Sequence, residues 1–176
     1  MFNCILVPID GSFHADKAAG IAGDLASKHG SDVVLLHVID PSRLTEEDER
    51  MAEVEHVGTR GHEQYPWVAN VPAELGAMLQ PDESTLQRER MLEYLAEKIV
   101  RASVGRLTEQ GVDKDRVRVL FKNGKPVKRI LETIGDEKID CVVMGSRGLS
   151  DVVGVLEGSV SHRVAHHADC TVVTVK

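Results

Sequence analysis

Hydrophobic positions in this chain follow two alternating rhythms. Residues 3 to 9, Asn-Cys-Ile-Leu-Val-Pro-Ile, make a nearly unbroken apolar run, and Val33 to Ile39 make another. Short runs without polar alternation predict strands buried on both faces, as in a parallel sheet. Between them the apolar spacing changes to three and four: Ala15, Ala18, Ala19, Ala22, Leu25 and Ala26 fall on one side of a helix that starts at Phe13. Lys28-His29-Gly30 gives it a basic last turn and a glycine stop. Asp10-Gly11-Ser12 is the turn into that helix. The three elements read as one βαβ unit, whose crossover is expected to be right-handed.

The same alternation returns later. Ser84-Thr-Leu-Gln87 has capping-box spacing and predicts a long helix to about residue 110, with Met91, Leu92, Leu95, Ile99, Ala102 and Leu107 on one side and Gly111 as its stop. Val117 to Phe121 is a strand of mixed pattern, as expected at a sheet edge. Asn123-Gly-Lys-Pro126 turns into a helix carrying Ile130, Leu131 and Ile134. Ile139 to Met144 is a further buried strand, Ser159 to His167 a last helix, and Thr171 to Val175 the final strand. Five strands alternating with four helices predict an α/β fold, a doubly wound parallel sheet with helices on both faces. Ligands of such sheets sit beyond the carboxyl ends of the strands, which singles out Pro8-Ile9-Asp10, Val38-Ile39-Asp40 and Met144-Gly145.

Residues 41–84 break the rhythm. Thr45-Glu-Glu-Asp48 has capping-box spacing for a short acidic helix to about His56, and Gly58, Gly61, Pro66, Pro72, Gly76 and Pro81 punctuate the rest of the stretch. We read this stretch as an insert in a single domain of 176 residues. Inserts of this length tend to be lids, partner surfaces or disordered segments, and Tyr65 and Trp67 give this one something to bury.

Composition narrows the chemistry. A formal charge of -7 argues against non-specific binding to nucleic acid or anionic membranes, so any phosphate bound here must be held by local groups. Cys4, Cys141 and Cys170 each lie in or beside a β-branched apolar run with no C-x-x-C pair, and read as reduced core residues. No apolar run reaches the roughly eighteen residues of a membrane-spanning helix, and the N-terminus lacks a signal layout. A cytoplasmic protein is the expectation.

One stretch concentrates the candidate chemistry. Asp140-Cys-Val-Val-Met-Gly145-Ser-Arg-Gly148 is followed, nine residues on, by Gly158-Ser159-Val160-Ser161. Glycines admit positive φ and close backbone approach, and the unpaired N–H groups of a helix start favour an anion, so the pattern reads as a phosphate cradle. The competing reading is tight turning without a ligand. Asp10 likewise has a second reading, as N-cap of the first helix, compatible with a ligand role. His162 and His166 share a helix face, but no acidic or cysteine partner has ligand spacing, and with His167 they suit the dipole of a last turn; no metal site is assigned. Ser146, Ser150, Ser159 and Ser161 read as phosphate donors or surface residues, and no base is placed to activate them; no catalytic residue is assigned. Neither a P-loop nor a G-x-G-x-x-G motif is present.

Taken together, Ile5-Leu-Val-Pro-Ile-Asp10-Gly-Ser12, Leu36-His-Val-Ile-Asp40, Gly124-x-Pro126, Met144-Gly-Ser-Arg-Gly148 and Gly158-Ser-Val-Ser161 resemble the universal stress protein family. The resemblance covers residues 2–40 and about 86–176, and the Gly145-x2-Gly148-x9-Gly158-Ser159 spacing is that of its ATP-binding branch. It implies strand order 3-2-1-4-5 in a nucleotide-binding, Rossmann-like arrangement, and a homodimer formed largely through the last strand. It also implies a site for ATP or a related adenine nucleotide. Asp10 would take the ribose or adenine edge with Pro8 and Ile9 beside it, and Val38 and Met144 would flank the base. Gly145, Arg147 and Gly148 would approach the ribose and phosphates. Gly158, Ser159, Val160 and Ser161 would supply N–H and hydroxyl donors to the phosphate chain. Glu157 stands where the family more often has an apolar residue. A carboxylate there would repel a triphosphate, face solvent, or join a Mg2+ ion bridging the phosphates. The expected function is nucleotide-responsive regulation in stress, with the insert as a surface for an unknown protein partner. The rivals are a slow ATP hydrolase or autophosphorylating protein using Ser159 or Ser161, and a nucleotide-free interaction module.

Overall fold

Strands β1 (Cys4–Ile9), β2 (Asp32–Ile39), β3 (Val117–Asn123), β4 (Cys141–Gly145) and β5 (Thr171–Val175) form one all-parallel sheet in the order β3-β2-β1-β4-β5. The computed structural model describes residues 2–40, 83–148 and 158–176, with side chains in the middle stretch from residue 92 onward. The expected insert at 41–84, with its Thr45 to Asp48 capping box, Tyr65 and Trp67, therefore lies almost wholly outside the described residues, as do Ser150 and Glu157. The chain divides into two compact units, Met1–Ser42 with Ala96–Lys176, and Arg43–Leu95. The first carries the whole sheet. The described part of the second is the opening of a helix, as far as Leu95.

Why the sheet is central follows from its register. Ile5 pairs with Val33 on one side and Cys141 on the other, so β1 is flanked by hydrogen-bonded neighbours and its side chains are covered from both faces. Alternate residues go to opposite faces. Ile5, Val7, Val33, Leu35 and Val143 meet Ala18, Ala19, Ala22 and Ala26 of α1 (Phe13–His29), together with Leu107 of α2 (Glu83–Glu109). Leu6, Val34, Leu36, Val142 and Met144 meet Ile130 and Ile134 of α3 (Pro126–Asp136) and Val164 of α4 (Ser159–His167). This is the doubly wound arrangement that the alternating pattern predicts. Leu6 is fully buried, and its truncation to alanine should cost roughly 2–5 kcal/mol.

Local chemistry sets the element ends. Ser12 caps α1 by accepting the Ala15 N–H at 3.2 Å. Gly30, at φ 67, ends it in the left-handed region and donates to the Ala26 carbonyl at 2.8 Å. Pro126 opens α3 at a position where a missing N–H costs nothing. Helix α2 begins at Glu83, two residues ahead of the Thr85 start that a Ser84 cap predicts, so Ser84 lies within the helix. β3 is an edge strand as expected, and Arg118 and Lys122 pair with Glu137 and Asp136 at the end of α3, at 2.7 and 3.1 Å. Charged residues of this kind discourage pairing with foreign strands.

Opposite the candidate site, Asp140 pins the sheet. Its carboxylate accepts the N–H groups of Asn3 (2.7 Å) and Cys4 (3.2 Å) and the Asn3 amide (3.0 Å). Burial tends to raise this carboxyl, but the bonds from Asn3 and Cys4 outweigh it and hold the group below its ordinary value. Among the described residues, no helix is long and apolar enough to cross a membrane.

Candidate functional site

At the carboxyl ends of β1 and β4 the backbone turns twice in close quarters. β1 leaves through Asp10 into the start of α1, and β4 leaves through Ser146, Arg147 and Gly148. Asp10 Oδ1 accepts the Ser12 N–H at 3.0 Å, a side-chain turn that shapes this corner. Ser12, not Asp10, is thus the N-cap of α1, which corrects the capping role read for Asp10. The Ser12 hydroxyl also reaches the Arg147 carbonyl, at the long limit of 3.5 Å.

The glycines of the cradle act by proximity. Among the described residues the positive-φ glycines are Gly11, Gly30, Gly111 and Gly124, so the φ > 0 rationale does not apply to Gly145, Gly148 or Gly158. A β-carbon on Gly145 would lie 2.8 Å from the His14 β-carbon and 2.9 Å from the His14 carbonyl carbon. Strand and helix could not approach so closely with any other residue. A β-carbon on Gly148 would stand 2.6 Å from Asp10 Oδ2, so Gly148 admits the Asp10 carboxylate. Gly158 is the N-cap of α4 at φ -72, in ordinary extended backbone.

Ser146 joins these parts. Its N–H donates to the Val175 carbonyl at 2.7 Å, and its own carbonyl accepts the Gly158 N–H at 2.7 Å and the Ser161 hydroxyl at 2.8 Å. Ser161 also lies 3.0 Å from the Gly158 carbonyl and is 2% exposed. Two expected phosphate donors, the Gly158 N–H and the Ser161 hydroxyl, are therefore committed inside the protein. The N–H groups of Ser159, Val160 and Ser161 have no carbonyl partner within the helix, and the Ser159 side chain is exposed. Two buried polar atoms, Ser146 Oγ and Arg147 Nε, have no hydrogen-bond partner among the described residues.

The other predicted residues divide by burial. Ile9 and Met144 are each 4% exposed and spend their side chains in the two core clusters, which leaves backbone as what they offer at the strand ends. Pro8 and Val38 are half-buried. His37, which the sequence pattern does not single out, lies opposite Ile9 in the strand register. Its Nδ1 is 3.0 Å from the Ile9 carbonyl, and its ring meets Phe121 edge-on at 6.3 Å. A polar residue two positions before the end of a buried strand is the signal that could have found it. His167 packs on His166 and is 2.9 Å from the Arg163 carbonyl. Among the described residues, no three potential ligands are grouped to hold a metal ion.

The profile of the universal stress protein family matches residues 1–176. This chain belongs to that family. A universal stress protein from Thermus aquaticus, encoded in the QAH/OAS sulfhydrylase 3' region, is 32% identical over 176 residues, covering 100% of both chains. The universal stress protein UspA from Lactobacillus plantarum superposes with a TM-score of 0.66 at 21% identity, covering 99% of this chain and 97% of that one. A universal stress protein in complex with cAMP gives 0.59 at 20% identity, over 99% and 97% of the two chains. The universal stress protein from Archaeoglobus fulgidus in complex with dAMP gives 0.56 at 14%, over 100% and 98%. At these identities the solved structures establish the shared fold, including the strand order expected from the resemblance.

Proposed function

We propose that this universal stress protein binds an adenine nucleotide at the corner between β1 and β4, ATP first among them, and works as a nucleotide-responsive module rather than a catalyst. The observation that carries the reading is the joint at Ser146. That one residue ties the start of α4 to the end of β5, two positions before Gly148 and its contact with Asp10. Asp10 would accept from the ribose or adenine edge beside Pro8 and Ile9, and Val38 with the backbone at Met144 would border the base. The backbone at Gly145 and Gly148 would admit the sugar, with Arg147 turned to the phosphates. Ser159, Val160 and Ser161 would bind phosphate through their N–H groups, aided by the helix dipole. The relatives solved with cAMP and dAMP support an adenine nucleotide. Mg2+ would be held chiefly by the phosphates themselves.

In the same reading the chain is a single cytoplasmic domain with an insert at about 41–84 that offers a surface to a protein partner. It dimerises through β5, whose outer flank is free of strand pairing among the described residues. Light scattering tests the dimer. The ligand itself is tested by mass spectrometry of small molecules released from the purified, denatured protein. An adenine nucleotide is expected, and a bound compound of another class would overturn the assignment.

A further inference from the structure

We propose that Ser161 is a positioning residue of the phosphate cradle: its hydroxyl does not touch the ligand but fixes the entry of α4, so that the N–H groups of Ser159 to Ser161 face outward. The inference rests on the nucleotide reading only for what those groups bind. The geometry of the joint stands by itself.

Helix α4 starts without a side-chain cap, because its N-cap is Gly158. Something else must set the direction in which the helix leaves the loop. Two bonds to one acceptor do so. The Ser146 carbonyl receives the Gly158 N–H at 2.7 Å and the Ser161 hydroxyl at 2.8 Å, which uses both lone pairs of that oxygen. Ser146 is anchored on its other side by the bond from its N–H to the carbonyl of Val175, a residue 6% exposed. The first turn of α4 is therefore fastened to the end of β5 through one residue.

The serine hydroxyl has a single proton. Its 3.0 Å neighbour, the Gly158 carbonyl three residues back, is the local partner a serine in a first turn commonly finds. The Ser146 carbonyl is the tertiary partner, 15 residues away in sequence. To bond a phosphate instead, the hydroxyl would have to leave both acceptors in a site where it is 2% exposed. Ser159 is exposed and has no such commitment through its hydroxyl among the described residues, which makes it the proper contrast.

The test combines amide hydrogen exchange of the ligand-free protein with calorimetric titration of AMP and adenosine, on wild type, Ser161→Ala, Ser161→Thr and Ser159→Ala. The Gly158 amide of the wild type should be protected, although N–H groups at helix starts ordinarily exchange fast. In Ser161→Ala its exchange should accelerate about tenfold, and AMP affinity should fall about tenfold with adenosine little changed, the loss of one net hydrogen bond. Ser161→Thr, which keeps the hydroxyl, should restore both. Ser159→Ala should weaken AMP without changing Gly158 exchange. An unprotected Gly158 amide in the wild type, or an AMP loss in Ser161→Ala with exchange unchanged, overturns the proposal. If the wild type binds no adenine nucleotide, that reading falls and the exchange measurements alone decide the role of Ser161.

Discussion

Oδ2 of Asp10 lies 2.6 Å from the point where a β-carbon on Gly148 would stand, whereas a β-carbon on Gly145 would press on the backbone of α1 at His14 and Ala15, 2.9 and 3.0 Å away. The two glycines should therefore respond differently to the same substitution. In Gly148→Ala the obstacle is the end of a side chain that can swing, so stability should change by less than about 1 kcal/mol while nucleotide affinity drops with the displaced carboxylate. In Gly145→Ala a helix or a strand must move, at about 1–3 kcal/mol. Chemical denaturation of the two variants checks this. Equal losses would contradict the division of roles.

Asp140 should make stability depend on acid pH. Its carboxyl is held below the ordinary value of 3.8 in the folded chain, so the folded state binds its proton less readily than the unfolded state. The stabilisation is complete above the unfolded value and is lost as the pH falls through the folded one. Asp140→Asn should thus be less stable than wild type at pH 7, and the gap should narrow below about pH 4. Denaturation at both pH values measures it. A gap of constant size would show that the charge of Asp140 contributes nothing.

The Cys141 thiol should be sluggish. Burial, with Cys170 and Asp140 adding to it, pushes the thiol up to about 11, and burial raises Cys4 and Cys170 as well. Near pH 8, Cys141 in the folded protein should react with a thiol reagent about a hundredfold more slowly than in the unfolded chain, because the thiolate is the reactive form. Quantitative labelling and peptide mapping give the rates. Rapid modification of Cys141 in the folded state would contradict its place in the core.

Much of this fold is legible because its elements announce themselves twice, by pattern and by punctuation. The alanine row of α1 ends at Gly30 where a left-handed residue is required, and the mixed pattern of Val117 to Phe121 marks the sheet edge. The candidate site is legible only as a neighbourhood. At Gly145 and Gly148 there is no room for a side chain, but positive φ and close approach leave the same glycine in the sequence. Ser159 and Ser161 look alike as letters, yet one is exposed and the other is buried against Ser146. Which hydroxyl turns inward depends on the face of α4 that carries it, the one that Ser161 shares with buried Val164, and a motif does not record that. Asp10 reads as a cap because Asp and Ser are both good caps. The structure shows the two acting in series, Asp10 on the Ser12 N–H and Ser12 on the Ala15 N–H.

The most direct test of the nucleotide reading is a titration of the purified protein, first shown to be free of bound nucleotide, with ATP and with AMP in the presence of magnesium. Binding and thermal stability should be measured together. A ligand at about a hundred times its dissociation constant adds about 2.7 kcal/mol, and for a domain of this size each kcal/mol raises the melting temperature by roughly 2–4 °C. The account predicts saturable binding at one nucleotide per chain and a rise of about 5–10 °C, both lost in Asp10→Ala. No heat and no shift at millimolar nucleotide would contradict it.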